Sequence, residues 1–351
     1  NYCTGFTMTS SRFHDLFGLP PRSPEARLTQ KHMDIAASIQ KVIEMAVLRL
    51  TRSLVKESGE KNLCLAGGVA LNCVANGKIL REGNQESLWI QPASGDSGGA
   101  IGAALAAYYL HLDQPRKSVS AEDSMKGGYL GPEFSNEKII KSLEEVSAKF
   151  EILEEVDLIR TCVEMLKEGK ALGWFQGRME FGPRALGARS ILGDPRSPQM
   201  QSILNQKIKF RESFRPFAPS VLREDVADWF DMDDDSPYML LVADVAKGLQ
   251  RSMTNEQKQL FGIEKLNIPR SDIPAVTHVD YSARIQTVHS ETNGRYYKLL
   301  SEFKAQTGCP VLINTSFNVR GEPIVCTPED AFRCFMGSGM EALAIGNCLL
   351  K

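Results

Sequence analysis

Nowhere in this 351-residue sequence do 18 apolar residues run together, so no segment is expected to cross a bilayer as a helix. Charge of one sign is also missing. A formal net charge of −2 gives the chain no global pull toward nucleic acid or an anionic membrane. The eight cysteines contain no pair at the two-residue gap of a zinc knuckle or redox centre. The five histidines (14, 32, 111, 278 and 289) never recur at three- or four-residue spacing, which excludes a locally assembled histidine metal site. Of these, only His278, just ahead of Arg284, is placed near a candidate pocket. No nucleophile elbow and no Walker-type lysine loop occur. What is present is ordinary for a folded protein: 42% hydrophobic and 24% charged residues, with 28 Gly and 17 Pro, which excludes a fibrous or disordered chain. The length allows two domains. The opening residues Asn1, Tyr2 and Cys3 show neither an initiator Met nor a secretory signal, and read as a cut into a longer protein. Most cysteines have apolar neighbours, as Cys64 has in Leu63 and Leu65, which predicts buried free thiols in a reducing cytoplasm.

Periodicity outlines an α/β chain. Ile35, Ile39, Val42, Ala46, Leu50 and Leu54 form one apolar stripe, predicting a helix over 32–58 that Gly59 ends. Short strands over 62–65 and 87–90 each run into a glycine turn, and a small-residue helix spans 100–110. Residues 112–136 lack periodicity and hold the expected domain join, which divides the chain into 1–125 and 126–351. Beyond it, helices are predicted over 137–149, 158–168, 296–307 and 328–336, strands over 171–175 and 311–314, and a polar surface excursion over 250–272. No internal repeat is visible.

The strongest local signal is basic. Between Arg178 and Arg223 lie nine Lys/Arg against Glu180, Asp194 and Glu212, so this window carries +6 in a chain whose total is −2. Glycine and proline interleave the cations, as in Gly182-Pro183-Arg184 and Arg215-Pro216. Glycines let backbone N–H groups approach an anion, and arginine forks grip phosphate oxygens in pairs. Asn314, Ser316, Asn318 and Arg320 follow a buried strand and are placed to line the same pocket. A plain basic surface and a nucleic-acid platform are the alternative readings, although the aromatics flank prolines, which suits packing more than base stacking. In the first domain, Gly67, Gly68, Asn72 and Asn76 suit a phosphate or ribose cradle, or merely close strand–helix packing. Asp96, on its glycine turn, suits a bound Mg²⁺ or harder transition metal, or a helix cap.

Five ordered blocks spanning nearly the whole chain carry a family resemblance: LCLAGGVALNCVANGKIL (63–80), IQPASGDSGGAIGAAL (90–105), GWFQGRMEFGPRALGARSILGDPR (173–196), KIKFRESFRPFAPSVL (207–222) and INTSFNVRGEPIVCTPEDA (313–331). They resemble the NodU/TobZ-type O-carbamoyltransferases. The resemblance implies half of an actin-like (RNase H-like) ATPase-fold domain followed by a YrdC-like α/β domain. It implies carbamoyl-adenylate formation from carbamoyl phosphate and ATP, then transfer to a hydroxyl of a sugar or natural product. Matched motif by motif, the catalytic positions fall on Arg184, Lys209 and Arg215, and the substrate- and nucleotide-binding ones on Arg178, Arg284, Asn314, Ser316 and Asn318. Gly67, Gly68 and Asn72 match the first domain's nucleotide-handling loop. Asp96 matches its metal-binding aspartate, for Fe or Zn, with Mg²⁺ accompanying ATP. The family's paired histidines would precede residue 1, so the chain as given is expected to bind metal poorly, and Tyr281 stands where Gly is expected. A homodimer is left open. Two further readings are weighed beside this one, threonylcarbamoyl-adenylate synthesis for tRNA and a non-catalytic nucleotide- or RNA-binding module. The enzymatic reading requires Arg184, Lys209, Arg215, Arg284 and Ser316 to converge on one cavity.

Overall fold

The stripe read over 32–58 does become a helix, α2 (Gln30–Ser58), behind a short α1 (Ser11–Phe17). A computed structural model describes residues 7–23, 26–116, 123–260, 263–266 and 268–351; Cys3 and the chain start lie outside them. Thr29 N–H donates to His32 Nδ1 at the start of α2, and Gly59 ends it in the left-handed region at φ 74°. The stripe, however, faces outward. Ile39, Val42, Leu50 and Leu54 are each more than half exposed, while Leu48 and Thr51 are the buried residues of α2. Docking uses the adjacent face: Gln40 bonds Asn72, Glu44 pairs with Lys78 at 3.5 Å, and Arg52 Nη2 donates to the Glu82 carbonyl at 2.6 Å. These positions step by four along the helix, so polar anchors rather than the longest apolar row select the buried side.

Between α2 and residue 112 lie β1 (Asn62–Leu65), α3 (Cys73–Glu82), β2 (Ser87–Ile90) and α4 (Gly98–Ala106), with a wider helical turn over 107–111. Strands β1 and β2 pair in parallel, Asn62 opposite Ser87 through Leu65 opposite Ile90. Cys64 is exposed on this small sheet, against the expectation of burial, as Cys73 and Cys326 are half-exposed. Cys162, Cys309, Cys334 and Cys348 are buried, and all seven are free.

The remainder is organised on a nine-stranded mixed sheet, with helices α5 (Asn136–Glu145), α6 (Glu155–Lys167), α7 (Met200–Ile203), α8 (Val226–Trp229), α9 (Asn255–Gln259), α10 (Ile263–Leu266), α11 (Gly294–Thr307) and α12 (Pro328–Met336). Its strands are β3 (Glu151–Ile152), β4 (Leu172–Phe175), β5 (Arg189–Gly193), β6 (Ala218–Leu222), β7 (Leu241–Asp244), β8 (Ser282–Val288), β9 (Val311–Ser316), β10 (Ala342–Ile345) and β11 (Cys348–Leu350), in the order β3-β11-β10-β4-β5-β9-β6-β8-β7. Every residue of β4, β5, β6 and β10 is buried, so helices or loops cover both faces there. The α/β class is as expected. Helix limits differ: α5 stops four residues early, where Ser147 takes φ 54°, and α6 starts three early because Glu155 and Asp157 suit the positive end of the helix before its apolar period begins.

Residues 117–122 of the expected join lie outside the described residues. Its described end is tied down, since Asp123 accepts from Met125 N–H at 2.9 Å and from the Tyr238 hydroxyl at 2.6 Å. Nor is the described part of 250–272 all surface. Arg270 is 1% exposed and donates to the Lys265, Ile268, Thr277 and His278 carbonyls. The feature that positions the site is α3, which lies directly on the edge strand β7. Asn76 Nδ2 donates to the Leu240 carbonyl at 3.1 Å, and Arg81 Nη1 to the Val242 carbonyl at 2.7 Å. A Cβ on Gly77 would stand 2.3 Å from that same Val242 oxygen, so only glycine permits this approach.

Candidate active site

Three adjacent strands supply one wall. Ala218 of β6 is paired with Asn314 of β9, while Ser220 and Gln286 are paired two residues on along the parallel strands β6 and β8. The pleat therefore brings Asn314, Ala218 and Arg284 to the same face in neighbouring rows, with Ser316 one period further along β9. Small Ala218 in the middle leaves room. Opposite stand Cys73 and Val74 at the start of α3. The open cavity between them is about 560 Å³ and is lined by Arg184, Arg211, Arg215, Arg284, His278 and Ser316 among others.

The loops carrying the arginines are held from inside. Glu180 is buried, and its Oε1 accepts from the backbone N–H groups of Leu186 and Ala188 at 2.6 and 2.8 Å, which curls the Gly182–Gly187 segment. Gly182, at φ 146°, brings this loop against the Pro92 carbonyl. Arg184 Nη2 then donates to the Leu71 carbonyl at 3.3 Å, while its Nε is buried without a partner. Fully buried Asn205 organises the next loop, donating to the Ser213 and Arg215 carbonyls and accepting from Arg211 Nε at 2.7 Å. Arg215 pairs with Glu212 at 3.0 Å.

Electrostatically the cavity is one-sided: among the described residues four guanidinium groups line it, and no Asp or Glu does. Burial, and next the Arg184 charge, push Arg284 down to about 10. Burial also lowers Arg184, and burial followed by Arg215 lowers Arg211. Four cations held close in a low dielectric, with Glu212 paired to Arg215 as the nearby counter-charge, favour a bound polyanion. Met239, on the cavity wall, holds strained backbone at φ 57°.

Of the sequence-derived residues, Arg184, Arg215, Arg284, Asn314 and Ser316 meet on this cavity. Lys209 lies behind it. Its Nζ donates to both the carbonyl and the hydroxyl of Ser316, to the Asn318 carbonyl at 2.9 Å and to Asn318 Oδ1 at 2.8 Å. It therefore positions Ser316 and Asn318 and is not among the residues that line the cavity. Arg178 is not brought there; it pairs with Glu133 at 3.1 Å on the rim of a second cavity. Asn72 caps α3 through the Ala75 N–H, and Gly67 and Gly68 are exposed and not among the residues that line the cavity. Tyr281 does not line the cavity; its hydroxyl donates to the Arg251 carbonyl. Asp96 is exposed and does not cap α4, and no group of three His, Cys, Asp or Glu among the described residues could hold a metal ion. One carboxylate does not make an Fe or Zn site, so these residues do not fit that group. Cys73, Arg211 and Met239 were not singled out from sequence. Arg211 stood in the basic window, but nothing local separates a cavity arginine from its neighbours.

Two family descriptions match the chain: carbamoyltransferase C-terminus over residues 163–351 and carbamoyltransferase N-terminus over residues 1–105. An uncharacterised Synechocystis protein is 62% identical over 352 residues, which cover 100% of this chain and 57% of that protein. Nodulation protein NolO of Bradyrhizobium diazoefficiens is 38% identical, covering 92% of this chain and 55% of NolO. Nodulation protein U of Rhizobium tropici is 35% identical, covering 92% of this chain and 50% of that protein. The chain thus spans about half the length of these relatives. A crystal structure of full-length HypF in its phosphate- and nucleotide-bound form aligns at 15% identity and TM-score 0.31, over 55% of this chain and 20% of HypF, a likeness too slight to carry an argument.

Proposed function

The chain belongs to the carbamoyltransferase family, and from that premise we propose that its arginine-lined cavity binds carbamoyl phosphate and ATP together and joins them into carbamoyl-adenylate. The observation that carries this reading is the set of four guanidinium groups on one 560 Å³ cavity with no carboxylate on its wall. Two phosphorylated reactants repel each other in water. Fixed cations offset that repulsion and the charge that grows at the α-phosphorus as pyrophosphate departs. Carbamoyl phosphate loses its phosphate to water, a carbamate oxygen attacks the α-phosphorus of ATP, and the carbamoyl–O–P bond forms as pyrophosphate leaves. Arg184 and Arg284 both line the cavity in which this chemistry is placed, as does Ser316, whose hydroxyl accepts from Lys209 and donates to Asn318 Oδ1. The product is then passed to a hydroxyl acceptor, taken here as a sugar or natural product. A cytoplasmic setting fits these substrates.

Purified chain supplied with carbamoyl phosphate and ATP is expected to release pyrophosphate. Arg184→Ala and Arg284→Ala should each slow that release by about a hundredfold or more. Release at the wild-type rate in both variants would remove these residues from the reaction.

A further inference from the structure

The cavity described above consists mainly of hydrogen-bond donors, which suits phosphate but leaves one question of selectivity. Carbamoyl and acetyl phosphates have nearly the same size and charge, and differ in that an NH₂ group replaces a methyl. Two acceptors belong to residues that line the cavity, and each has its orientation dictated by its neighbours. Ser220 Oγ donates to Gln286 Oε1 at 2.6 Å, so that hydroxyl must accept from Asn314 Nδ2 at 3.1 Å; the other Asn314 Nδ2 hydrogen goes to Gln286 Oε1 at 2.8 Å. Gln286 is fixed in turn by its Nε2 donating to the Leu186 carbonyl at 2.7 Å. The Asn314 amide therefore cannot flip without placing acceptor against acceptor. Asn314 is 1% exposed, and its Oδ1 is buried without a partner. An orphaned buried carbonyl is unfavourable until a donor reaches it.

The second acceptor is His278. Ser282 Oγ donates to Asp280 Oδ1 at 2.7 Å, so it can only accept from His278 Nδ1, 3.0 Å away. That sets the tautomer: Nδ1 carries the proton and Nε2 is bare, with no protein partner, on a ring that lines the cavity. Burial, outweighing Asp280, holds His278 down at about 4, so the ring stays neutral.

We propose that Asn314 Oδ1 and His278 Nε2 accept the two N–H bonds of the carbamoyl group, and so select carbamoyl phosphate over acyl phosphates that lack an amide. This rests on the reading of the cavity as the carbamoyl phosphate site. The test compares dissociation constants of carbamoyl phosphate, acetyl phosphate and inorganic phosphate by titration calorimetry on the whole chain. Wild type should prefer carbamoyl over acetyl phosphate by on the order of ten- to a hundredfold. Asn314→Ala and His278→Phe should each move that ratio toward one. His278→Phe lies outside the buried Asn314–Gln286–Ser220 network, so it reports even if Asn314→Ala melts early. Preference unchanged in both variants, or absent in wild type while phosphate still binds, overturns the selectivity assignment alone. Failure of all three anions to bind, or binding untouched by Arg284→Ala, overturns the reading of the cavity beneath it.

Discussion

Lys209 shows how burial and hydrogen bonding compete at one side chain. Burial, with Arg211 next, pushes its ammonium down to about 7, while four oxygens of Ser316 and Asn318 hold the charged form in place. Because the folded-state value lies below the ordinary one, the folded protein binds fewer protons than the unfolded chain above about pH 7. This group's contribution to stability therefore rises with pH from about 7 toward the ordinary lysine value, by at most about 1.4 kcal/mol per pH unit. Below about 7 the cost of the buried charge is fully present. Melting curves between pH 6 and 9 should climb more steeply for wild type than for Lys209→Met; parallel curves would mean Lys209 keeps its proton throughout. Above pH 7 the loss of a donor should also loosen Ser316.

At the scale of elements, the contact between α3 and β7 decides the site. Asn76 and Arg81 use backbone carbonyls of an edge region that would otherwise be open, and the start of α3 is thereby fixed over Arg184 and Arg284. Gly77→Ala tests this coupling because two effects oppose. Alanine favours an exposed helix by about 1 kcal/mol over glycine, yet here its methyl would lie 2.3 Å from a backbone oxygen that cannot easily move. The clash should win. Expected is a net loss of about 1–3 kcal/mol in thermal unfolding together with weaker phosphate affinity. A stabilised variant would mean the two elements are not in contact. Conversely, the outward row of α2, from Ile39 to Leu54, adds little to the stability of the chain as described.

At the scale of the whole molecule, a nearly neutral chain has sorted its charge, drawing cations from distant segments onto one cavity. A polyanion bound there stabilises the fold by mass action, about 2.7 kcal/mol at a hundred times the dissociation constant. Pyrophosphate should therefore raise the melting temperature of wild type. The shift should shrink as salt is added and largely vanish when Arg184 and Arg284 are both replaced by Ala. An equal shift in the double variant would place the anion elsewhere.

Composition and pattern were enough to establish the α/β class, most helix positions and the basic window, because these depend on local periods and on residue type. The same is true of Arg184, Arg215, Arg284, Asn314 and Ser316 as candidates, since their blocks could be matched without coordinates. Sequence had no means of ranking equivalent cations. Arg178 and Arg184 lie six residues apart in one glycine-rich loop, yet one pairs with Glu133 and the other reaches Leu71, over a hundred residues away. Lys209 looked like a ligand-binding cation until burial placed it behind Ser316. The long stripe of α2 looked like a core face, but anchors on α3 selected the neighbouring one. Pairings between strands far apart in sequence, and the packing of α3 on β7, create the cavity and orient its two bare acceptors. They depend on which distant groups satisfy one another's hydrogen bonds, and only the folded chain decides that.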